Sequence, residues 1–146
     1  MKVVLFDIDG TLVNIEHRRS ILQNDPHDWK SFFAAMGDDT PNTAVVNLYL
    51  LLWASDEYDC IILSGRPENY RAMTEQWFIW NAIPFDRLIL RSKNDNRADH
   101  IVKEEILNTL LAEGKEIAFV VDDRQSVVDM WRRNGLTCFQ CAEYKS

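Results

Sequence analysis

The stretch Val3-Val4-Leu5-Phe6-Asp7-Ile8-Asp9-Gly10-Thr11 decides how the rest of the chain is read. Four consecutive apolar, largely β-favouring residues, Val3 to Phe6, suit a short strand covered on both faces. In extended backbone residues i and i+2 point the same way, so Asp7 and Asp9 present two carboxylates side by side. Gly10 allows a sharp turn, and Thr11 offers a hydroxyl and a backbone N–H to whatever sits there. Two like charges about 5 Å apart repel by roughly 3 kcal/mol at an effective dielectric of about 20, so the pair requires a cation, a shared proton or solvent. A bare D-x-D is as often a solvated strand end as a site. Its place directly after a buried strand, with Gly-Thr following, moves the reading toward a site.

The 146 residues are read as one domain, 1–146, long enough to bury about two-thirds of the unfolded surface. A net charge of −7 argues against coating nucleic acid through non-specific phosphate contacts, yet leaves room for gripping a single phosphate end. No apolar run approaches the length of a membrane span, and Asp7 breaks the N-terminal one. Neither a span nor a signal peptide is expected, and a cytoplasmic location is. Three cysteines, an odd number, fit a reducing compartment better than a disulfide framework. Cys138-x-x-Cys141 lacks a second ligand pair and falls in an expected strand, where i and i+3 face opposite ways, so no metal is assigned to it.

Outward from the first strand, residues 14–40 are polar and read as a small cap or insert. Asp25-Pro26 resembles a cap followed by proline at the first helical position, which predicts a short helix from Pro26 to Met36. Gly37 to Pro41 is a loop. Asn42 to Ser55, apolar nearly all round, is expected as a well-buried helix. Tyr58 to Leu63 is a second strand ending at Ser64-Gly65-Arg66-Pro67. Glu68 to Asn81 is a helix with Tyr70, Met73, Trp77 and Trp80 on one stripe, and Leu88 to Leu90 a third strand. Asp99 to Glu113 is a helix with Val102, Ile106 and Leu110 inward and Gly114 as its stop. Ile117 to Val121 is a fourth strand ending at Asp122-Asp123; Arg124 to Asn134 is a helix, and Thr137 to Gln140 a fifth strand. Such alternation predicts an α/β, three-layer Rossmann-like fold, with a central parallel sheet of about five strands and helices on both faces. Ligands bind such sheets at the carboxyl ends of the strands, where Asp7, Ser64 and Asp122 all fall.

Four carboxylates, Asp7, Asp9, Asp122 and Asp123, converge if these strand ends are neighbours, and such a cluster calls for a divalent cation. All-oxygen donors favour Mg²⁺ over zinc. Facing them are anion-binding groups: the Ser64 hydroxyl, backbone N–H groups of the Gly65 turn, Arg66 and Lys103. Lys103 sits in the first turns of its helix, where the helix dipole disfavours a cation. Taken alone it reads as an exposed ion pair with Asp99, four residues earlier; a phosphate nearby would explain it better.

In this order these residues resemble the haloacid dehalogenase superfamily of aspartate-nucleophile phosphohydrolases. The match comprises D-x-D-G-T at Asp7 to Thr11, Ser64 at a second strand end, Lys103, and the paired Asp122 and Asp123. A closer resemblance, to the 3′-phosphatase domain of bacteriophage-type polynucleotide kinases, covers nearly the whole chain. It rests on Ser64-Gly65-Arg66, Tyr70 to Thr74, Arg97-Ala98-Asp99 with Val102 to Ile106, Val121 to Arg124, and Val128 to Arg133. No G-x-x-x-x-G-K-[ST] occurs, so no kinase domain and no 5′-phosphorylation are expected of this chain. Ala142 to Ser146 drift from the family's ending. An arginine after the first motif should help bind phosphate in that family; Arg18 and Arg19 both qualify, with Arg18 preferred.

The resemblance implies a two-step phosphoryl transfer. Asp7 is the nucleophile and Asp9 the general acid and base, while Ser64 and Lys103 hold non-bridging oxygens. Mg²⁺ is held by Asp7, the Asp9 backbone carbonyl, Asp122 and Asp123. Thr11, Gly65, Arg66 and Arg124 join the phosphate-binding set, Arg66 as a bidentate clamp, and Asp99 orients Lys103. A short insert implies an open mouth able to admit a polymer end. Arg87 to Lys103 holds five Lys or Arg against two Asp, which could cradle a nucleic-acid backbone or merely form a solvated loop. Trp29, Phe32, Phe33 and the Trp77–Trp80 stretch could stack bases, with core packing the commoner use of the last. The expected partners are 3′-phosphorylated DNA or RNA ends, with room for a homodimer. The nearest rival is a nucleotidase or small-phosphoester phosphatase, and a non-catalytic end-binding module is the third.

Overall fold

The computed structural model describes residues 1–144. The first half of the chain forms β1 (Lys2–Phe6), β2 (Val13–Asn14), α1 (Glu16–Asn24), α2 (Trp29–Ala34), β3 (Thr40–Pro41), α3 (Thr43–Ser55) and β4 (Tyr58–Pro67). The second half forms α4 (Arg71–Trp80), β5 (Arg87–Arg91), α5 (Asp99–Ala112), β6 (Ile117–Arg124), α6 (Gln125–Arg133) and β7 (Cys138–Tyr144). Five strands make a parallel sheet in the order β5-β4-β1-β6-β7, and β2 and β3 pair antiparallel beside it. This is the expected three-layer α/β architecture.

β1 is central because its apolar run can be buried on both sides. Val3 to Phe6 are wholly inaccessible, and the period of two divides them between two cores. Val4 and Phe6 pack with Val45, Val46 and Tyr49 of α3 and Trp77 and Phe78 of α4. Val3 and Leu5 pack with Leu107 and Leu110 of α5 and with Val127, Val128 and Trp131 of α6. Two strands run further than their apolar stretches suggest. β4 continues through Ser64 to Pro67, which pairs with Arg91, and β6 through Asp122 and Asp123 to Arg124, which pairs with Tyr144. Backbone pairing, rather than side-chain apolarity, carries the strands into the polar motifs.

The insert departs most from expectation. Residues 14–40 hold two α-helices and a 3-10 turn at Ala35–Asp38 that runs into the loop expected from Gly37, and the helix expected from Pro26 begins at Trp29, where the Asp28 side chain caps it by accepting from the Ser31 N–H. Asp25-Pro26 instead forms the turn that ends α1. α1 escaped detection because its one buried residue is Arg18, so no apolar stripe marks it. α3 is a surface helix rather than a buried one, with Leu48 and Leu51 exposed. On α4 the inward residues are Thr74, Trp77 and Phe78, while Met73 and Trp80 face out. On α5 the buried side includes Lys103 and Leu107 beside Val102 and Leu110. No described helix is long and apolar enough to cross a membrane. Of the drifting C-terminal residues, Ala142 to Tyr144 complete β7, and Lys145 and Ser146 lie outside the described residues.

Leu107 anchors the helix that carries Lys103 and is fully buried. Leu107→Ala is expected to cost about 2–5 kcal/mol of stability in urea unfolding, through lost transfer energy and the cavity left behind.

Candidate active site

The carboxyl ends of β1, β4 and β6 lie side by side at the point where strand order reverses, as the topology requires. There, Asp7, Asp122 and Asp123 are buried with carboxylate oxygens within 4.8 Å of one another. Lys103 reaches in from α5, its Nζ donating to Asp7 Oδ1 (2.9 Å) and Asp122 Oδ2 (3.1 Å). The Thr11 hydroxyl donates to Asp7 Oδ2 (2.9 Å), and Trp131 Nε1 to Asp122 Oδ2 (3.1 Å). Gly10, at φ +82°, makes the approach of Asp123 feasible, since a Cβ there would lie 2.1 Å from Asp123 Oδ2.

One ammonium does not balance three buried carboxylates. Burial, reinforced by Asp122, pushes the Asp7 carboxyl well above the usual range, and the same causes raise Asp123 to about 6. Burial works against the Lys103 charge, but Asp122 and Asp7 overcome it and hold the ammonium protonated. The cluster is therefore short of positive charge. Its donors are hard, acceptor-only oxygens, the set that suits Mg²⁺.

Asp9, although two residues from Asp7, belongs to a different charge system. Arg66 grips it with Nε on Oδ2 (3.1 Å) and Nη2 on Oδ1 (2.7 Å), and Arg18 Nη2 donates to Oδ1 (2.5 Å). Both guanidiniums also reach Asp39: Arg18 through Nε and Nη2 at 2.8 Å each, Arg66 through Nη2 at 3.3 Å. Burial would raise the Asp9 carboxyl, but Arg66 and Arg18 outweigh it and hold Asp9 well below the usual carboxylate range.

Of the residues singled out from sequence, Asp7, Asp9, Ser64, Gly65, Asp99, Lys103, Asp122, Asp123 and Arg124 line one cavity of about 510 Å³. Arg18 and Arg66, read as phosphate ligands, are buried behind Asp9 and spend their donors on Asp9 and Asp39, with Nη1 of Arg18 on the Phe32 carbonyl and Nη1 of Arg66 on the Thr74 hydroxyl, whereas Arg19 stands in the cavity wall. Two expectations for Lys103 are corrected. It is buried, not exposed, and Asp99 does not bond it: Asp99 accepts from Arg91 and from Arg124 Nη1 (3.0 Å) and acts on Lys103 only through its charge. Gly65 is required where Asp99 passes, for a Cβ would lie 2.2 Å from Asp99 Oδ1.

The basic run is mostly consumed internally. Arg87 pairs with Glu113, and Arg97 with Asp95 and Glu105. Arg91 braces the loop by donating to the Gly65, Asp95 and Arg97 carbonyls. Three contributors went unread in the sequence. Asp39 sits in loop-like Gly37 to Pro41, Trp131 falls in the expected helix Arg124 to Asn134 with no role assigned to it, and Tyr144, at 4.4 Å from the Arg19 guanidinium, lies in the drifting terminus. None carries a local signal of its partners.

A putative β-phosphoglucomutase from Thermotoga maritima shares the fold, with a TM-score of 0.61 over 99% of this chain and 94% of that one, at 13% identity. Fold and site define a haloacid dehalogenase-type α/β protein. The model of the polynucleotide kinase PNKP phosphatase domain matches residues 1–145, and the chain belongs to that family. A chain of the Pnkp1/Rnl/Hen1 RNA repair complex is 35% identical, with a TM-score of 0.82 over 97% of this chain and 42% of that one. A second structure of the Pnkp1/Rnl/Hen1 complex contains a chain 37% identical, with a TM-score of 0.78 over 97% of this chain and 46% of that one. The present chain thus spans less than half the length of either.

Asp39 is buried between two guanidiniums. Asp39→Ala is expected to destabilise the fold by about 3–5 kcal/mol in urea unfolding, because it leaves buried positive charge uncompensated.

Proposed function

We propose that the chain is an Mg²⁺-dependent phosphomonoesterase that removes 3′-phosphates from DNA or RNA ends through an aspartyl-phosphate. The observation that carries the chemistry is geometric: Asp7 clusters with Asp122, Asp123 and Lys103, while Asp9, in the same cavity, is held apart by Arg66 and Arg18. A carboxylate set among oxygens suited to a metal and one fixed by two guanidiniums are placed for different tasks, attack on phosphorus and proton transfer.

In the first step an Asp7 carboxylate oxygen attacks phosphorus in line. The bond from phosphorus to the sugar 3′-oxygen breaks, and that oxygen takes a proton from Asp9. Arg66 and Arg18 favour the carboxylate form of Asp9 in the free protein, so the proton it gives is taken up from solvent as the negatively charged phosphate binds beside it, and the second step restores it. In the second step water attacks phosphorus, the bond to Asp7 breaks, and Asp9 accepts the water proton. Inorganic phosphate and a free 3′-hydroxyl are released. Asp9 must stay put through both steps, and the Arg18–Asp39–Arg66 lattice behind it does that holding.

Asp7, Asp122 and Asp123, with the Asp9 backbone carbonyl, are the groups suited to hold Mg²⁺. Bound there, the ion would keep Asp7 ionised and offset its repulsion from the phosphate dianion. Lys103 and Ser64 then stabilise the non-bridging oxygens. Thr11 orients Asp7, and Arg19 and Arg124 supply positive charge in the wall. Membership of the polynucleotide kinase phosphatase family and the likeness to chains of RNA repair complexes favour a nucleic-acid end over a small phosphoester. Residues 14–40 act in this reading as a small cap that leaves the mouth open.

Asp7→Asn is expected to lower kcat at least about 1,000-fold while circular dichroism and thermal unfolding stay near wild type; full activity would refute the nucleophile. Removing divalent ions with a chelator should abolish turnover, and added Mg²⁺ should restore it. Side-by-side kcat/KM values on a 3′-phosphorylated oligonucleotide, a nucleoside 3′-monophosphate and an aryl phosphate test the substrate. The oligonucleotide should win by orders of magnitude, and equal rates on the mononucleotide would instead support the nucleotidase.

A further inference from the structure

The wall of the catalytic cavity changes character from one element to the next. The strand ends supply carboxylates and cations, while the insert supplies Ile15, Leu22, Trp29, Phe32 and Phe33. Phosphate chemistry has no use for this apolar side. Nor does the cavity need about 510 Å³ to hold a phosphate alone, a volume within the range of sites that enclose whole small molecules.

Trp29 stands out within that wall. It opens α2 and is 45% exposed, whereas Phe32 and Phe33 are 6% and 8% exposed. Its indole lies close to parallel with the Phe33 ring (centroids 5.8 Å apart, planes at 26°) and meets Phe32 edge-on (5.6 Å, 87°). Phe33 is propped in turn by Tyr70 at 5.2 Å. The indole is thus fixed by aromatic contacts on its protein side and keeps nearly half its surface uncovered, in the wall of the cavity that Asp7 and Asp9 also line. Core packing, the usual reason for a tryptophan in a helix, does not account for that exposure.

We propose that Trp29 is the stacking platform for the base of the 3′-terminal nucleotide. The proposal rests on the 3′-phosphatase reading and deepens it, for it names what beyond phosphate the enzyme grips. Stacking on an aromatic side chain is tolerant of base identity, so any terminal base would be accepted. Because the platform belongs to the insert, substrate preference and phosphoryl chemistry are carried by separate parts of the chain.

The test is a cycle that crosses the residue with the base. Wild type, Trp29→Ala and Trp29→Phe are assayed on a 3′-phosphorylated oligonucleotide and on the same oligonucleotide with an abasic terminal sugar, and wild type also on glycerol phosphate. Trp29→Ala is expected to lose about 5- to 150-fold in kcat/KM on the intact oligonucleotide, mainly through KM, and Trp29→Phe to recover most of it. Wild type should lose a similar factor on the abasic end, and losing residue and base together should cost little more than losing either. Equal penalties for Trp29→Ala on intact and abasic ends would show a brace for the insert and overturn the platform. A wild type that prefers the intact oligonucleotide, with no loss in Trp29→Ala, overturns the platform alone. Wild type favouring glycerol phosphate over the oligonucleotide overturns both the platform and the 3′-phosphatase reading.

Discussion

A single buried ammonium holds the architecture of the site together. Lys103 lies between Asp7, just past the end of β1, and Asp122 on β6, and so bridges the helical layer to two adjacent strands. Each partner would be costly alone in that interior: the lysine because burial opposes its charge, the aspartates because they also repel one another. Together they remain one charge short or more, with Asp123 added. Folding alone does not relieve that deficit; a bound cation would. The crowding of carboxylates that makes the cluster costly is also what suits it to a divalent ion.

A second lattice keeps Asp9 out of that cluster. Arg18 comes from α1, Arg66 from the end of β4 and Asp39 from the segment before β3, so three distant pieces of chain close around one carboxylate. Trp77 Nε1 adds a fourth anchor by donating to the Asp39 carbonyl (2.9 Å). Each guanidinium offers several donors in a fixed plane, which suits it to hold two carboxylates at once. The insert is therefore tied to the sheet through charge as well as through Phe32, Phe33 and Met36. Its position relative to the reacting atoms is set by the same residues that tune Asp9.

Much of the fold was legible because its signals are local and periodic. A four-residue apolar run marks a central strand, and Gly114 and Gly135 mark helix ends at φ +84° and +78°. Where periodicity failed, the reason is physical. α1 turns an arginine inward, α5 turns a lysine inward, and α3 leaves leucines in solvent, so hydropathy pointed to the wrong faces. The insert was obscure for that reason: ionic contacts with distant residues hold much of its inner face.

What the sequence determined by itself was the set of candidate site groups and their order along a parallel α/β chain, because D-x-D-G-T, Ser64, Lys103 and Asp122-Asp123 each follow or face a strand end. What only the tertiary structure decided was which group each charge serves. Lys103 attends Asp7 and Asp122 rather than Asp99; Arg18 and Arg66 attend Asp9 and Asp39; Arg91 and Arg124 attend Asp99. Spacing along a chain sets which side chains can share an element. Pairing across elements depends on long side chains competing for the same carboxylates in three dimensions, and that competition is settled by packing.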